Sequence, residues 1–224
     1  MLLAAGRGER LRPLTDSVPK ALVEVGGKPL IAWHLERLAA SGARDVVINV
    51  SHLGDQIVER IADGTRYGLR IAYSRETEPL ETAGGIAQAL PLLTREPFLL
   101  VNADIYCEYD LRRLLVHSLG ERLAHLILVP NPAHRQGGDF TLDAGLVGSA
   151  PAPRYTYAGV AVVSPRLVES VTPGDKAPLA PLLYAAADRR LMTGELYRGL
   201  WQDVGTRERL DELEARLGSR HENR

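Results

Sequence analysis

The stretch "LAAGRGERLRPLTDSVPK" (residues 3–20) runs a short apolar strand straight into Gly6-Arg7-Gly8, with Arg10, Arg12 and Lys20 following within a dozen residues. A glycine-rich turn after a buried strand exposes backbone N–H groups that can surround phosphate oxygens. Gly6 and Gly8 have no side chain to keep a phosphate away. Two well-known cradles do not match. The dinucleotide fingerprint G-x-G-x-x-G meets Leu11 where its third glycine belongs, and the P-loop G-x-x-x-x-G-K-[ST] is absent. A surface turn with solvated arginines is the plain alternative for this stretch.

Outward from it, apolar runs alternate with amphipathic patterns. "PLIAWHLERLAASG" (29–42) places Ile31, Leu35, Leu38 and Ala39 on one helical face, with Pro29 at its start and Gly42 as a stop. "DVVINV" (45–50) is a β-branched run of strand length. "GDQIVERIADG" (54–64) reads as a helix with Ile57, Ile61 and Ala62 inward, "LRIAYS" (69–74) as a strand, "AGGIAQALPLL" (83–93) as a short helix, "PFLLVNAD" (97–104) as a buried strand. "DLRRLLVHSLG" (110–120) is expected to be helical and "AHLILV" (124–129) a strand. This order predicts an α/β, Rossmann-like fold: a mostly parallel sheet with helices on both faces. Right-handed crossovers put the strands' C-terminal ends on one edge, where ligands bind. Past residue 130 the Gly- and Pro-rich "NPAHRQGGDFTLDAGLVGSAPAP" reads as a small β insertion or hairpin. A strand, a helix, an extended segment and a closing amphipathic helix capped by Thr206 follow, with "SRHENR" (219–224) as a frayed tail. No repeat or long linker divides the chain, so one domain over residues 1–224 is expected.

Composition narrows the function. Lys and Arg number 27 against 28 Asp and Glu, which gives no support to a nucleic-acid-binding surface. No apolar run approaches the ~20 residues that span a bilayer, and no charged-then-apolar leader is evident. One cysteine, Cys107, allows neither an intramolecular disulfide nor a thiolate zinc cluster, which points to the cytoplasm.

Asp104 falls where a buried strand emerges at the ligand edge, a good place to hold a hard cation such as Mg²⁺, though turn or capping duty would also explain it. Asp203 in "WQDVGT" gains interest only if it meets Asp104 in space. Gly84 and Gly85, in the first turn of a helix, could offer backbone donors or simply close packing. There is no H-E-x-x-H and no G-x-S-x-G, and the histidines are scattered singly, so covalent catalysis lacks an obvious nucleophile and base.

Taken together these segments resemble the sugar-1-phosphate nucleotidyltransferase family. Its signature L-A-A-G-x-G-x-R-[LM]-x-P-L-T followed by P-K stands here without a gap, and "GKPLI", "ETAGGI", "YAGV" and "WQDVGT" follow in the family's order. The resemblance implies the family's GT-A-like fold, and a nucleoside triphosphate and a sugar 1-phosphate as substrates with Mg²⁺ as cofactor. UTP and N-acetylmuramic acid α-1-phosphate, in cell-wall recycling, are the favoured pair. Mannose 1-phosphate with GTP, or glucose 1-phosphate with a thymidine or uridine nucleotide, are alternatives. It implies that Leu3, Ala4, Ala5, Gly6 and Gly8 contact the nucleotide, that Arg10 and Lys20 hold the triphosphate, and that Glu81, Gly84 and Gly85 lie near the base. Asp104 and Asp203 would bind the metal; Asn102, Gly159 and Lys176 would serve the sugar phosphate. Residues 1–130 would then be mainly nucleotide-binding, 131–203 mainly sugar-binding, and 204–224 a C-terminal helix and tail, in a monomer or weak homodimer. Two departures stand out: Ala103-Asp104 replaces the Gly-Asp of many relatives, and Asp175-Lys176 sits about two residues off the family's Glu-Lys pair. Arg135 or Arg154 could meet a lactyl carboxylate, or simply face solvent. A non-catalytic nucleotide-sugar sensor is the rival of another class; it would be expected to lack one of Arg10, Lys20, Asp104 or Asp203, and all four are present.

Overall fold

The computed structural model describes residues 1–151 and 153–221. Among them, nine strands form one sheet: β1 (Leu2–Leu3), β2 (Asp45–Val50), β3 (Arg70–Arg75), β4 (Phe98–Asn102), β5 (Ala124–Val129), β6 (Thr141–Asp143), β7 (Leu146–Gly148), β8 (Thr156–Val163) and β9 (Met192–Leu196), in the order β3-β2-β1-β4-β8-β5-β9-β7-β6. β1, β2, β3 and β4 are mutually parallel, and β9 is parallel to β5. Only β8 and β7 run against the rest. The sheet is therefore mostly parallel in strand direction, as the alternating pattern predicts, and β6–β7 is the hairpin expected after residue 130.

The central strands feed two cores. In β4, Leu99 and Val101 face one side and Leu100 the other; in β5, Ile127 and Val129 oppose Ala124, Leu126 and Leu128. This two-sided burial is why the strands read as continuous apolar runs rather than alternations. Helix α1 (Leu30–Ala40) covers the first face with Ile31, Leu35 and Leu38, and α2 (Gly54–Ile61) adds Ile57 and Ile61. Helices α3 (Glu81–Ala89) and α4 (Ala180–Asp188) cover the second with Ala83, Ile86, Leu183 and Ala186. The last helix, α5 (Arg207–His221), packs Leu210, Leu213 and Leu217 on Val23, Val25 and Leu30. Residues 219–221 of the expected tail continue this helix, and 222–224 lie outside the described residues.

Two local expectations are corrected. Ala62 is not on the buried face: α2 ends at Ile61, and Ala62 takes φ 56° as the chain turns back so that Ile71 N–H reaches Asp63 C=O at 2.9 Å. The "DLRRLLVHSLG" segment is helical only at Arg112–Leu115. Beyond it Leu119 turns inward while Val116 is left 85% exposed, so the apolar residues do not share one helical face.

His34 is structural. It is buried in α1 with Nε2 2.8 Å from Ile105 C=O. Burial holds its imidazole at about 4, below the ordinary 6.5, against the opposing pull of the Ile105 bond. His125, buried and stacked on His117 at 3.9 Å, is likewise held at about 4. Between pH 6.5 and about 4 the unfolded chain binds protons that these rings refuse when folded, so folding stability falls as pH drops through that window. Urea melts of the wild type should show this slope, and His34→Gln should flatten it. Ile48, fully buried between Leu2 and Tyr73, offers a second check: Ile48→Ala should cost about 2–5 kcal/mol in the same melts.

Candidate active site

The C-terminal ends of β1, β2 and β4 open into a cleft of about 1010 Å³, at the upper end of the range usual for ligand sites. Leu3, Ala4, Ala5, Gly6, Gly8, Arg10, Lys20, Glu81, Asn102, Asp104 and Lys176 all line it, so the structure gathers most of the expected residues from across the chain. Four cations, Arg7, Arg10, Lys20 and Lys176, face the same space, while Glu76, Glu78 and Glu81 bring carboxylates from the β3–α3 connection. Arg7 thus belongs to the cleft, whereas Arg12 pairs with Asp16 on the surface.

The N-terminal loop is shaped by its two glycines in different ways. Gly6 faces open space, with nothing within 4 Å of a would-be Cβ, as a phosphate approach requires. Gly8 takes φ 68°, and a Cβ there would press on Thr15 and on Lys20 at 3.0–3.1 Å. Glycine is needed at that turn, which leads into a tight helical turn at Glu9–Leu11 and carries a bond from Thr15 Oγ1 to Gly8 C=O. Lys20 is nearly buried and its Nζ lies 2.6 Å from Asp104 Oδ2.

Asp104 and the segment around Asp203 do meet. Ile105–Cys107 and Trp201–Asp203 pair as an antiparallel ribbon with Asp203 opposite Ile105, and Val204 N–H donates to Asp104 C=O at 2.8 Å. Asp203 itself is not among the residues that line the cleft, whereas Gly205, two positions on, is. Arg209 Nη1 donates to Asp203 Oδ2, and His134 Nε2 stands 3.2 Å from Oδ1, yet Oδ1 is buried without a hydrogen bond.

Besides Asp203, three expected glycines lie outside the lining. A Cβ on Gly84 would strike Asp175 C=O, and the Gly84 and Ala83 N–H groups already donate to Ala177 C=O at 3.1 and 2.9 Å. Those two donors are therefore not free for a ligand; they grip the segment that carries Lys176. Gly85 makes room for Glu76 Oε1, 2.6 Å from its would-be Cβ. Gly159, at φ 76° where the β8–β5 register shifts, lets the Asn102 side chain lie over it, 2.9 Å from a would-be Cβ; Asn102, not Gly159, reaches the cleft. Arg135 is taken up by Asp139, and Arg154 by the carbonyls of Ser149 and Ala150.

Sequence reasoning passed over Asn49 and Glu76. Asn49 Oδ1 accepts from Ala4 N–H at 2.8 Å and its Nδ2 donates to Glu76 Oε1 at 2.7 Å; Glu76 Oε2 accepts from Leu80 N–H at 3.0 Å. The signal was present: an asparagine inside the apolar "DVVINV". Arg209 and His134 were also missed, since an arginine on a charged helix face reads as solvation and a singly scattered histidine as structural. Cys107 is buried and burial pushes its thiol up to about 11, which removes it as a nucleophile at neutral pH.

A resident Mg²⁺ needs hard oxygen ligands and takes one or two carboxylates, with phosphate and water completing its shell. The residues fit this demand. Asp104 keeps its carboxylate 42% exposed at the cleft, Asp203 has an oxygen without a hydrogen bond, and no cluster of three or more His, Cys, Asp or Glu is gathered for a metal among the described residues. No helix among the described residues is long and apolar enough to cross a membrane.

Comparison with known proteins places this geometry. The profile of the family described as "Nucleotidyl transferase" matches residues 1–136. The chain is 47% identical to the N-acetylmuramate alpha-1-phosphate uridylyltransferase of Neisseria meningitidis serogroup B, over 98% of both chains. It is 32% identical to a mannose-1-phosphate guanyltransferase of Yarrowia lipolytica over 92% of its length, spanning 60% of that protein. Among solved structures, HddC of Yersinia pseudotuberculosis with GMP-PN shares the fold at a TM-score of 0.76 and 22% identity, over 96% of this chain and 97% of that one. A UDP-glucose pyrophosphorylase shares it at 0.76 and 18%, over 98% of each. By the match over most of its length and the end-to-end likeness to the Neisseria protein, this chain belongs to the nucleotidyl transferase family.

Proposed function

We propose that the enzyme transfers a uridylyl group from UTP to N-acetylmuramic acid α-1-phosphate, releasing pyrophosphate, as a cytoplasmic step of cell-wall recycling. The observation that carries this reading is the 47% identity to the Neisseria uridylyltransferase across both whole chains.

A sugar-phosphate oxygen attacks the α-phosphorus of the triphosphate in line, the new P–O bond forms, and the bond to the β-phosphate oxygen breaks. A phosphate monoester has its second pKa near 6, so the attacking oxygen is already an anion at neutral pH. The reaction then needs no general base, and among the described residues no histidine or cysteine lines the cleft. Its obstacle is charge: two polyanions must be brought together, and preorganised cations and amides offset their repulsion. In this reading the N-terminal loop and Arg10 hold the triphosphate, Lys20 moves from Asp104 to a phosphate oxygen, and Lys176 meets the sugar phosphate. Ala4, fixed through Asn49 and Glu76, and Glu81 border the base. Mg²⁺, held by Asp104 and Asp203, would supply positive charge to the phosphates and template their approach.

Lys20→Ala and Asp203→Asn should each lower turnover a hundredfold or more, about 3 kcal/mol of transition-state stabilisation, with unchanged circular dichroism; near-normal turnover in either would refute its role. Pyrophosphate release with Mg²⁺ across a panel of sugar 1-phosphates and UTP, dTTP, GTP and CTP should peak at N-acetylmuramic acid α-1-phosphate with UTP. A maximum at mannose 1-phosphate with GTP would move the enzyme to the guanylyl-transferring side of its family.

A further inference from the structure

Asp203 is already engaged. The Arg209 guanidinium, only 9% exposed, donates from Nη1 to Asp203 Oδ2, and its Nε lies 3.3 Å from Thr206 Oγ1. The same Nη1 lies 2.7 Å from His134 Nε2, and that ring nitrogen is 3.2 Å from Asp203 Oδ1, the buried oxygen without a hydrogen bond. The frustration is chemical. A ring nitrogen that accepts from Arg209 has no proton for Asp203 and turns a lone pair toward a lone pair. A proton on Nε2 would satisfy Asp203 but point at the guanidinium. No tautomer serves both neighbours, so Oδ1 stays buried with its hydrogen-bonding capacity unmet. Gly205 adds a constraint: a Cβ there would lie 2.5 Å from Arg209 Nη2 and 3.0 Å from Arg10 Nη2, so two guanidiniums crowd one glycine. Asp203 is the carboxylate that neutralises the inner one.

We propose that Arg209 is a resident counter-cation: it occupies Asp203 until a divalent cation arrives, and metal loading is an exchange in which Arg209 leaves Oδ2. Arg209 is thus a positioning residue, acting through Asp203 from the first turns of α5. The arrangement mirrors Lys20 on Asp104, so each of the two aspartates carries its own cation. The proposal rests on the reading of Asp203 as a metal ligand, and its consequence is that the nucleotide-free protein binds divalent metal more weakly than its carboxylates alone would.

Mn²⁺ titration of the nucleotide-free protein, followed by electron paramagnetic resonance of the free ion, tests it with wild type, Arg209→Gln, and Arg209→Gln combined with Asp203→Asn. Arg209→Gln should bind Mn²⁺ at least tenfold more tightly than wild type, and the added Asp203→Asn should abolish that gain. Unchanged or weaker binding in Arg209→Gln, including no binding in either protein, overturns the proposal. Tight binding kept in the double variant instead overturns the ligand reading of Asp203. Should the neutral variant fail to fold by circular dichroism, Arg209→Lys, which keeps the charge but loses the fork, should bind Mn²⁺ severalfold more tightly than wild type. Wild-type affinity in that variant overturns the proposal.

Discussion

The hydrogen bond from Val204 N–H to Asp104 C=O, 2.8 Å long, is the contact on which the site depends. It extends the short ribbon that sets Asp203 opposite Ile105, and so joins the start of the C-terminal helix to the end of a central strand. Without it the two acidic residues, far apart in the chain, would have no common address. Backbone pairing is well suited to the task because it fixes position while leaving side chains free for chemistry. Each of the two carboxylates is met by a cation of its own, Asp104 by Lys20 and Asp203 by Arg209.

The other wall of the cleft is held by a chain of hydrogen bonds rather than by ion pairs. Ala4 N–H, Asn49, Glu76 and Leu80 N–H form a chain of hydrogen bonds across the ends of three adjacent strands and into α3. Glu76 is buried at 7% exposure, and its two oxygens each accept a bond, which is what makes a carboxylate tolerable there. Gly85 gives it the volume it needs. A single chain of bonds therefore sets the loop that follows β1 relative to the helix that begins at Glu81.

What was legible in the sequence were features repeated along the chain or compressed into one segment. The strand–helix alternation, the two-sided burial and the hairpin past residue 130 follow from apolar spacing and turn residues alone. The N-terminal loop was legible because its glycines, arginine and lysine are contiguous. Asn49, Glu76, His134 and Arg209 were not, because each takes its meaning from a partner tens of residues away or from a turn that no local pattern specifies. Gly84, Gly85 and Gly159 were legible as special but not as to why: each yields space to a protein neighbour, and spacing cannot distinguish that from yielding space to a ligand.

The grip of α3 on the segment near Lys176 has a mechanical consequence. Ala177 C=O accepts from both Ala83 and Gly84, and Ala177 N–H donates to Leu80 C=O at 3.0 Å. Each such bond contributes about 1 kcal/mol net, so shifting Lys176 alone would forfeit roughly 3 kcal/mol. The helix that starts at Glu81 and the lysine beside it therefore travel as one piece.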